Sequence, residues 1–522
     1  MRLKKLMSLL VVGAMAVGLL AGCGSSEEES GTTTEGSTAS ESTTFEGFEE
    51  TVEIEMYGLS FYGDDGLDEV LAAINEISEA EINVHVNYTV MDTATYAEQI
   101  GLMMSGGEAF DLVMATAIPV VGFTTMQSQN QLMDISEYLS IYAPETTELM
   151  SDYLACTTVD GATYGIPCYR IYNSSYYIIM RTDILEELDL VEEAEAIDSW
   201  SDYEAILQKV YEAQDSLPED MQTNAVISSQ DGQGTVLTGQ YSDIATDDFS
   251  GNYGFETLSD STKVIYVDED GNVGNYFATE DYAAAIERVY SWYEAGYVYK
   301  DSATASDTGD TLMSNGITFS YVNLSEIGVE QSKATSTGYD VTCVEIHSIP
   351  VQTSVGNQWA WCVPTTSENP EAAVAFMELM YTNSEIENLF VYGIEGRDYE
   401  VNDEGEAVVL EDAEYQSSDF FYGNQFLAYP AEGSGGDFRE VSLASLESAE
   451  ISEYFGCVVN TDDISNELTA LSNVLSKYEA GLESGTLDPS YLDTMLDELE
   501  DAGMQTVIDF YQEALDAWLA TQ

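Results

Sequence analysis

Histidine, carboxylate and aromatic side chains are the residues of this 522-residue chain that could do chemistry. The chain holds 2 His, 96 Asp or Glu, 35 Tyr and 5 Trp. His85 lies within an alternating strand pattern and His347 ends another, so we expect both to be ordinary strand residues rather than catalytic bases. Two carboxyl groups could form the acid and base of a glycosidase, but 96 acidic residues produce such pairs by chance. Carboxylate pairs therefore indicate no particular reaction.

Sequence motifs for bound metals, phosphates or activated serines are absent from the chain. It has no G-x-S-x-G, H-E-x-x-H or G-x-x-x-x-G-K-[ST] pattern. Gly232-Gln-Gly234 lacks the third glycine of a dinucleotide site, and the acidic run 268–272 is followed by Val273 where a calcium loop needs Gly. Beyond Cys23, five irregularly spaced cysteines predict mostly buried free thiols, with at most one or two disulfides. We expect no catalytic residue, no metal and no cofactor.

Aromatic rings beside Gly or polar residues at predicted loop positions are the best candidates for ligand contacts. Flat rings present apolar faces to the C–H surfaces of sugars, while amides and carboxylates bind their hydroxyls. Trp359 is predicted to stack on a ligand and Trp361 to be structural. Arg397 is one of very few cations, so we expect it to face or support the site with Glu395, a surface ion pair being the alternative. The predicted ligand-binding residues are Tyr57, Tyr62, Thr116, Tyr169, Arg170, Asn357, Trp359, Glu395 and Arg397.

The net charge excludes two classes of partner. With 13 Lys or Arg against 96 acids, the formal net charge is −83. A polyanion of that density repels phosphate backbones, which excludes nucleic acid, and it cannot dock on anionic lipid through a basic patch. Hydrophobic residues still make up 44% of the chain, enough to bury large cores rather than leave it disordered.

The first fifty residues predict that the protein is exported and attached to the cell membrane. Residues 1–22 have the basic start and apolar run of a secretory signal, and Leu20-Ala-Gly-Cys23 resembles the lipobox of bacterial lipoproteins, in which the Cys is acylated. A transmembrane anchor is the alternative, although the run barely reaches the length needed to span a bilayer. Residues 23–50 are rich in Ser, Thr, Gly and acids, which predicts a disordered tether with a root-mean-square reach of about 25 Å.

The remaining chain alternates between strand and helix periodicity. Alternating residues at 51–57 and 82–90, helical spacing at 67–77 and 96–104 and a buried strand at 110–114 predict a largely parallel sheet with crossover helices. The pattern restarts after Pro167, and the last forty residues are helical. We therefore predict an α/β fold of two lobes with a helical C-terminal part.

These features together resemble the extracellular solute-binding lipoproteins of carbohydrate ABC importers, the family 1 solute-binding proteins, and within them the LplA-like subgroup. The lipobox and the segment Tyr392-Gly-Ile-Glu-Gly-Arg-Asp-Tyr399 are the most specific parts of the resemblance. Its further segments are Phe110-Asp-Leu-Val113, Asp160-Gly-Ala-Thr-Tyr-Gly-Ile-Pro167, Met180-Arg-Thr-Asp-Ile-Leu185, residues 285–296, Ser367-Glu-Asn-Pro-Glu371 and residues 473–518.

The resemblance implies a two-lobed, type II periplasmic-binding-protein-like fold with a hinge. Lobe 1 would comprise 51–166 and 310–365 and lobe 2 would comprise 167–309 and 366–522, with crossings near Pro167, residue 309 and Thr365. It implies a sugar or oligosaccharide bound between the lobes and delivered to the transmembrane subunits of an ABC permease. It also implies a monomer on the outer face of a Gram-positive-type cell membrane, held only by its N-terminal lipid. A binding protein for a peptide or other small solute, or a glycan-hydrolysing lipoprotein, are the alternatives.

Overall fold

The computed structural model describes residues 45–228, 247–249 and 255–522, apart from positions 261, 269, 306 and 436. The predicted signal peptide, Cys23 and the tether as far as Thr44 lie outside the described residues, as does Gly232-Gln-Gly234. The tether ends earlier than the predicted residue 50, because the Phe45 and Phe48 rings pack against Tyr142 and join the folded core. In the part of the chain that the structure describes, no helix combines the length and the apolar character that crossing a bilayer requires.

Strands and helices are numbered here in chain order. The strands span Val52–Leu59 (β1), Val84–Met91 (β2), Leu112–Ala115 (β3), Thr158–Val159 (β4), Ala162–Thr163 (β5), Gly165–Pro167 (β6), Ser174–Arg181 (β7), Ala225–Ser228 (β8), Ile265–Val267 (β9), Val273–Asn275 (β10), Thr318–Ser325 (β11), Val341–Ile349 (β12), Ala360–Cys362 (β13), Tyr399–Val401 (β14) and Ala407–Val409 (β15). The helices span Leu67–Ile82 (α1), Thr93–Gly106 (α2), Phe123–Ser128 (α3), Ser136–Tyr142 (α4), Pro144–Leu149 (α5), Thr182–Glu187 (α6), Val191–Glu195 (α7), Trp200–Ala213 (α8), Glu280–Glu294 (α9), Gly309–Ser314 (α10), Val329–Thr337 (α11), Thr353–Gly356 (α12), Pro370–Thr382 (α13), Ser384–Tyr392 (α14), Phe438–Ser448 (α15), Ser465–Glu483 (α16), Leu492–Asp501 (α17) and Met504–Leu519 (α18).

The first lobe is built on a five-stranded sheet in the order β2-β1-β3-β13-β6. Strand β1 runs parallel to β2 and β3, and β13 runs antiparallel to β3 and β6. Alternate residues of β1 face the core, as the sequence predicts: Ile54 and Met56 are fully buried, whereas Glu53 is exposed. Helices α13 and α14 complete this core with Phe376 and Phe390.

The second lobe is built on a four-stranded sheet in the order β12-β7-β11-β8. Strand β7 is antiparallel to both of its neighbours, and β11 is parallel to β8. Helices α8 and α9 cover this sheet, where Trp200, Tyr203 and Trp292 pack ring against ring. Large aromatic rings such as these supply much of the buried apolar area of a core.

The C-terminal part is helical, as the sequence predicts. Helices α16, α17 and α18 bury residues such as Leu471, Leu499 and Tyr511 against the hairpin of β9 and β10. Helix α9 contributes Val289 to the second-lobe core and Ile286 to this one, so it joins the two cores. The acidic run 268–272, which lacks the glycine of a calcium loop, forms the turn between β9 and β10.

The sheets divide the chain differently from the predicted lobe boundaries. Strands β11 and β12 pair with β7, which assigns 318–349 to the second lobe rather than the first. Helices α13 and α14 lie in the first-lobe core, although 366–522 is predicted as second lobe. Residue 309 and Thr365 are therefore not crossings, because the elements on both sides of each belong to one lobe. Periodicity identifies a strand but not the sheet that the strand joins.

Three connections link the lobes within the described residues. The chain leaves the first sheet after Pro167, where a crossing is predicted, and enters the second sheet at Ser174. It returns to the first sheet between β12 and β13. The third connection follows α15 over residues 449–456. The last two are hydrogen-bonded to each other, since Val351 N donates to the carbonyl oxygen of Glu450 at 2.7 Å. Such short neighbouring links can act as a hinge.

The cysteines of the described chain are free thiols, which agrees with the prediction of buried, unpaired residues. Cys156, Cys168, Cys362 and Cys457 are buried and Cys343 is partly buried. Burial raises the pKa of Cys343 to about 12, so its thiolate is scarce at neutral pH.

Candidate ligand-binding cleft

A cleft of about 640 Å³ lies where the two lobes meet. The 168–173 connection contributes Arg170 and Ile171, the residues after β11 contribute Glu326, and the residues before β13 contribute Trp359. Both lobes and a connection between them therefore form its walls. A cleft of this size, with apolar walls and a few polar groups, suits a small ligand.

Aromatic rings form one wall of the cleft. Trp359 and Phe420 line it, with their ring centroids 5.8 Å apart. Behind them lies Phe421, 5.0 Å from Trp359 and 5.1 Å from Phe61. Phe61 is 55% exposed, so an apolar ring is displayed beside the wall at the end of β1. Contiguous ring faces of this kind suit the C–H surface of a sugar.

Arg170 lies at the base of the cleft and is 8% exposed. Its Nη1 donates to the carbonyl oxygen of Ile171 at 2.9 Å and its Nη2 to that of Val355 at 3.0 Å. The guanidinium also lies over the Tyr172 ring, 5.2 Å from its centroid. These bonds join two of the interlobe connections, so Arg170 supports the hinge as well as lining the cleft.

Two carboxyl groups face the cleft beside Arg170. Burial raises the pKa of Glu326 to about 7, with Arg170 opposing that rise and Asp419 adding to it. Although 45% of the Glu326 side chain is accessible, that surface opens into the space between the lobes. Burial also raises the pKa of Asp419, whose Oδ2 accepts a hydrogen bond from Gln425 Nε2 at 2.6 Å. Such groups can bind the hydroxyls of a ligand.

A second, more polar compartment of about 430 Å³ adjoins the first. Glu326 and Ile327 line both compartments, so the cleft continues past them. The second compartment is bounded by the ends of β7 and β12 and by α15, where Asn173 Nδ2 donates to Ser445 Oγ at 2.7 Å. The two spaces together offer room for an elongated ligand.

The segment 419–426 is held tightly against the first lobe and the 168–173 connection. Gln425 Oε1 accepts from Ile171 N at 3.1 Å, and Gln425 N donates to the carbonyl oxygen of Tyr169 at 3.0 Å. Gly423 packs directly on Met380, where a Cβ atom would lie 2.2 Å from the Met380 carbonyl oxygen. Only glycine fits there without a shift of backbone. The cleft wall is therefore a fixed surface rather than a loose loop.

Arg170 and Trp359 are the predicted ligand-binding residues that line the cleft. Tyr169 lies behind the wall, with its ring 5.1 Å from that of Phe426. Asn357 is buried and donates from Nδ2 to the carbonyl oxygen of Cys156 at 3.2 Å, so it braces the chain before Trp359.

Three further predicted residues lie on the first lobe outside the lining. Thr116 is buried and its Oγ1 accepts from Ile118 N at 3.0 Å, which shapes a turn. The Tyr57 ring packs against Phe110 at 5.4 Å. Tyr62 is 55% exposed, and its neighbour Phe61 makes the contact with the aromatic wall instead.

Glu395 and Arg397 also lie outside the lining. Glu395 is exposed, whereas Arg397 Nη2 donates to Asp398 Oδ2 at 2.7 Å and to the carbonyl oxygen of Gly66 at 3.2 Å. Asp398 is fully buried, which by itself would raise its pKa, but Arg397 and the N–H of Ile394 hold that pKa below its usual value. The alternative of an ion pair describes Arg397, and the pair is buried rather than on the surface.

Neither histidine belongs to the cleft. His85 Nδ1 lies 2.6 Å from Glu79 Oε1 beside β2. His347 is 7% exposed in β12, and burial lowers its pKa to about 4, so its ring is neutral at neutral pH. Both are strand residues, as the sequence predicts.

Residues 72–393, more than half of the chain, match the bacterial extracellular solute-binding protein family. The chain belongs to this family. Residues 453–520 of this solute-binding protein also match a domain of unknown function, DUF3502, which covers α16, α17 and α18.

Known relatives extend the likeness over nearly the whole solute-binding protein. A carbohydrate ABC transporter substrate-binding protein of Streptococcus pneumoniae is 24% identical over 487 residues, which cover 89% of this chain and 91% of the relative. The crystal structure of an N-glycan transport solute binding protein of S. pneumoniae superimposes with a TM-score of 0.74 at 20% identity, covering 90% and 99% of the two chains. A human-milk-oligosaccharide (HMO) binding solute binding protein from Bifidobacterium longum infantis has a TM-score of 0.65 at 16% identity, with the same coverage. The predicted two-lobed α/β fold is confirmed.

Most of the cleft wall of this solute-binding protein carries no signal in the sequence. Phe420, Phe426 and Asp419 lie in an irregular stretch between β15 and α15, where no periodicity marks them. Glu326 follows a strand whose lobe is mispredicted, so its position beside Arg170 cannot be read from the sequence. The density of aromatic residues after Asp419, beginning with Phe420-Phe421, is a signal in the sequence that marks this segment.

Proposed function

We propose that the protein captures a sugar or oligosaccharide in the cleft between its lobes and delivers it to the transmembrane subunits of an ABC permease. The observation that carries this proposal is the interlobe cleft with Trp359 and Phe420 on one wall and Glu326 at the junction of its two compartments. Ring faces bind the apolar side of a sugar and carboxyl groups bind its hydroxyls. The carbohydrate relative from S. pneumoniae supports the same class of solute.

A sugar suits this cleft better than a peptide. A peptide brings a terminal carboxylate or a charged end that needs a free cation, whereas the Arg170 guanidinium is occupied by the carbonyl oxygens of Ile171 and Val355. Uncharged hydroxyls need hydrogen-bond donors and acceptors but no free cation, and the cleft offers Gln358 and Ser442 as well as its carboxyl groups.

Anchoring, oligomeric state and delivery complete the proposal. Acylation of Cys23 would hold a monomer on the outer face of the cell membrane through lipid alone, with the residues between Cys23 and the packed Phe45 as the tether. Closure of the lobes about the three connections would create the liganded shape that a permease recognises. The protein would bind its solute and leave it chemically unchanged.

A thermal-shift screen over mono-, oligosaccharides and short peptides tests the proposed solute class. A ligand that binds only the folded protein stabilises it by about 2.7 kcal/mol at a hundredfold excess over its Kd. We expect one or more oligosaccharides to raise the melting temperature of the parent, and the same oligosaccharides at the same concentration to raise that of Trp359→Ala by less. A response to peptides alone would contradict the proposal.

Glu326 and Asp419 both line the cleft, which is the observation that favours a glycan hydrolase as the second candidate. Incubation of the protein with the best oligosaccharide, followed by mass spectrometry, separates the two functions. We expect intact oligosaccharide after many hours. Steady cleavage that is lost in Glu326→Gln or Asp419→Asn would establish the hydrolase instead.

A further inference from the structure

The cleft carries carboxyl groups along its whole length. Glu326 and Asp419 line the aromatic compartment, and Glu326, Glu345 and Glu450 line the polar one. Glu345 Oε1 accepts a hydrogen bond from Ser175 Oγ at 2.7 Å, which holds that carboxylate toward the start of β7. A ligand that spans both compartments therefore meets carboxyl groups in each of them, and among the described residues that line the polar compartment it meets no basic side chain.

The basic residues of the lining are already engaged. Within the part of the chain that the structure describes, only Arg170 and Arg439 bring positive charge to this lining. Arg170 donates to two backbone carbonyl oxygens and lies 3.9 Å from Glu326 Oε1. Arg439 Nη2 donates to the carbonyl oxygens of Leu427 and Ala428 at the exposed rim. An anionic ligand would have to compete with these contacts.

We propose that the cleft selects uncharged oligosaccharides and rejects those that carry carboxylate, sulfate or phosphate groups. This inference rests on the proposed function and narrows its substrate class. Like charges brought together in a partly desolvated site repel each other strongly, and that repulsion acts against an anionic ligand. The raised pKa of Glu326 is consistent with a site that already disfavours one negative charge, so a second one from a ligand is opposed further.

A binding assay with a mixture of neutral and acidic oligosaccharides tests the inference. The purified protein is dialysed against one mixture of labelled neutral oligosaccharides, released from mannans, galactans, glucans and N-glycans, together with oligogalacturonates, oligomannuronates and sialylated N-glycans. Bound species are identified by mass spectrometry. We expect neutral oligosaccharides to be retained. Any acidic counterpart should bind with an affinity at least about a hundredfold weaker. Retention of acidic species equally well or better would overturn the inference while leaving the proposed function intact. Retention of no oligosaccharide would contradict the proposed function itself.

A matched pair of double variants separates the cleft from the charge of the whole chain. At a pH above the raised pKa of Glu326, Glu326→Gln with Glu345→Gln removes two carboxylates from the lining, whereas Glu400→Gln with Glu404→Gln removes two exposed ones elsewhere and changes the net charge equally. We expect the cleft variant to narrow the neutral-to-acidic preference by about tenfold or more and the control to leave it unchanged. An equal response of the two variants would overturn the inference, because selectivity would then come from the overall polyanion.

Discussion

Trp359 and Trp361 are two residues apart at the start of β13, and the structure gives their rings different surroundings. Trp361 is fully buried, and its Nε1 donates to the carbonyl oxygen of Phe421 at 3.0 Å. Trp359 lines the cleft and is only partly buried. The prediction from sequence separates the two rings by the loop-like Gly356-Asn-Gln before Trp359 and by Cys362-Val363, deeper in the strand, after Trp361.

Alanine substitution at the two positions should therefore affect different quantities, the binding affinity at Trp359 and the stability at Trp361. We expect Trp359→Ala to weaken oligosaccharide binding by about 1–3 kcal/mol with little change in stability. Trp361→Ala should lower the free energy of unfolding by about 3–5 kcal/mol. Calorimetric titration and thermal melting measure the two quantities. Early melting of Trp359→Ala with normal affinity would reverse the assignment.

Glu326 should make stability depend on pH in a defined direction. Its pKa is raised to about 7 in the folded protein, where Arg170 and Asp419 face it, against about 4.3 in an unfolded chain. The folded form therefore holds the proton more tightly, so this group's contribution to stability is present below about pH 4 and is lost as the pH rises toward 7.

Glu326→Gln removes that titration and tests the sign. We expect the variant and the parent to melt alike near about pH 4, and the variant to melt increasingly later than the parent up to about pH 8. Glu400→Gln, at an exposed position, serves as the control. A difference that is constant with pH would mean that Glu326 titrates as an ordinary surface acid.

At the scale of elements, local periodicity predicts individual strands and helices but not the sheet in which a strand pairs. Strand β1 and helix α1 follow from periods of two and 3.6, because one face of each is buried in its own lobe. The lobe to which β11 and β12 belong depends instead on a pairing with β7, more than 130 residues earlier in the chain. Long-range pairing of this kind leaves no local pattern. The same holds for the irregular segment 419–426, whose fit against Met380 depends on Gly423.

The turn after α14 is a structural element rather than part of the site. Arg397 and the buried Asp398 join the turn at Ile394 to Gly66 before α1. We expect Arg397→Ala to lower the free energy of unfolding by about 2–3 kcal/mol, somewhat less than for a fully buried pair, since backbone N–H groups still bind Asp398. Ligand affinity should not change.

Chemical denaturation and calorimetric titration of Arg397→Ala check both halves of this expectation. Lys209→Ala is the matched control, because the Lys209–Glu193 ion pair is exposed and should contribute less than about 1 kcal/mol. A loss of affinity without a loss of stability would return Arg397 to the binding site.

At the scale of the whole molecule, the predicted location of the protein depends on its N-terminal residues. We expect Cys23→Ala to release the protein from the membrane fraction, because the acylated cysteine would be its only attachment. Cell fractionation followed by immunoblotting of the pellet and the medium measures this directly. A variant that stays in the pellet as fully as the parent would mean that the apolar run of residues 6–22 spans the membrane.

Binding between the lobes also predicts a change in the shape of the molecule. A ligand held by Trp359 from the first lobe and Glu326 from the second draws the lobes together about the three connections. The most direct measurement is small-angle X-ray scattering of the protein with and without a saturating oligosaccharide from the thermal-shift screen. We expect the radius of gyration to fall on binding in the parent, with the oligosaccharide recovered intact. Trp359→Ala should need about 5- to 150-fold more oligosaccharide for the same fall. An unchanged radius of gyration in the parent at saturation would contradict capture between the lobes.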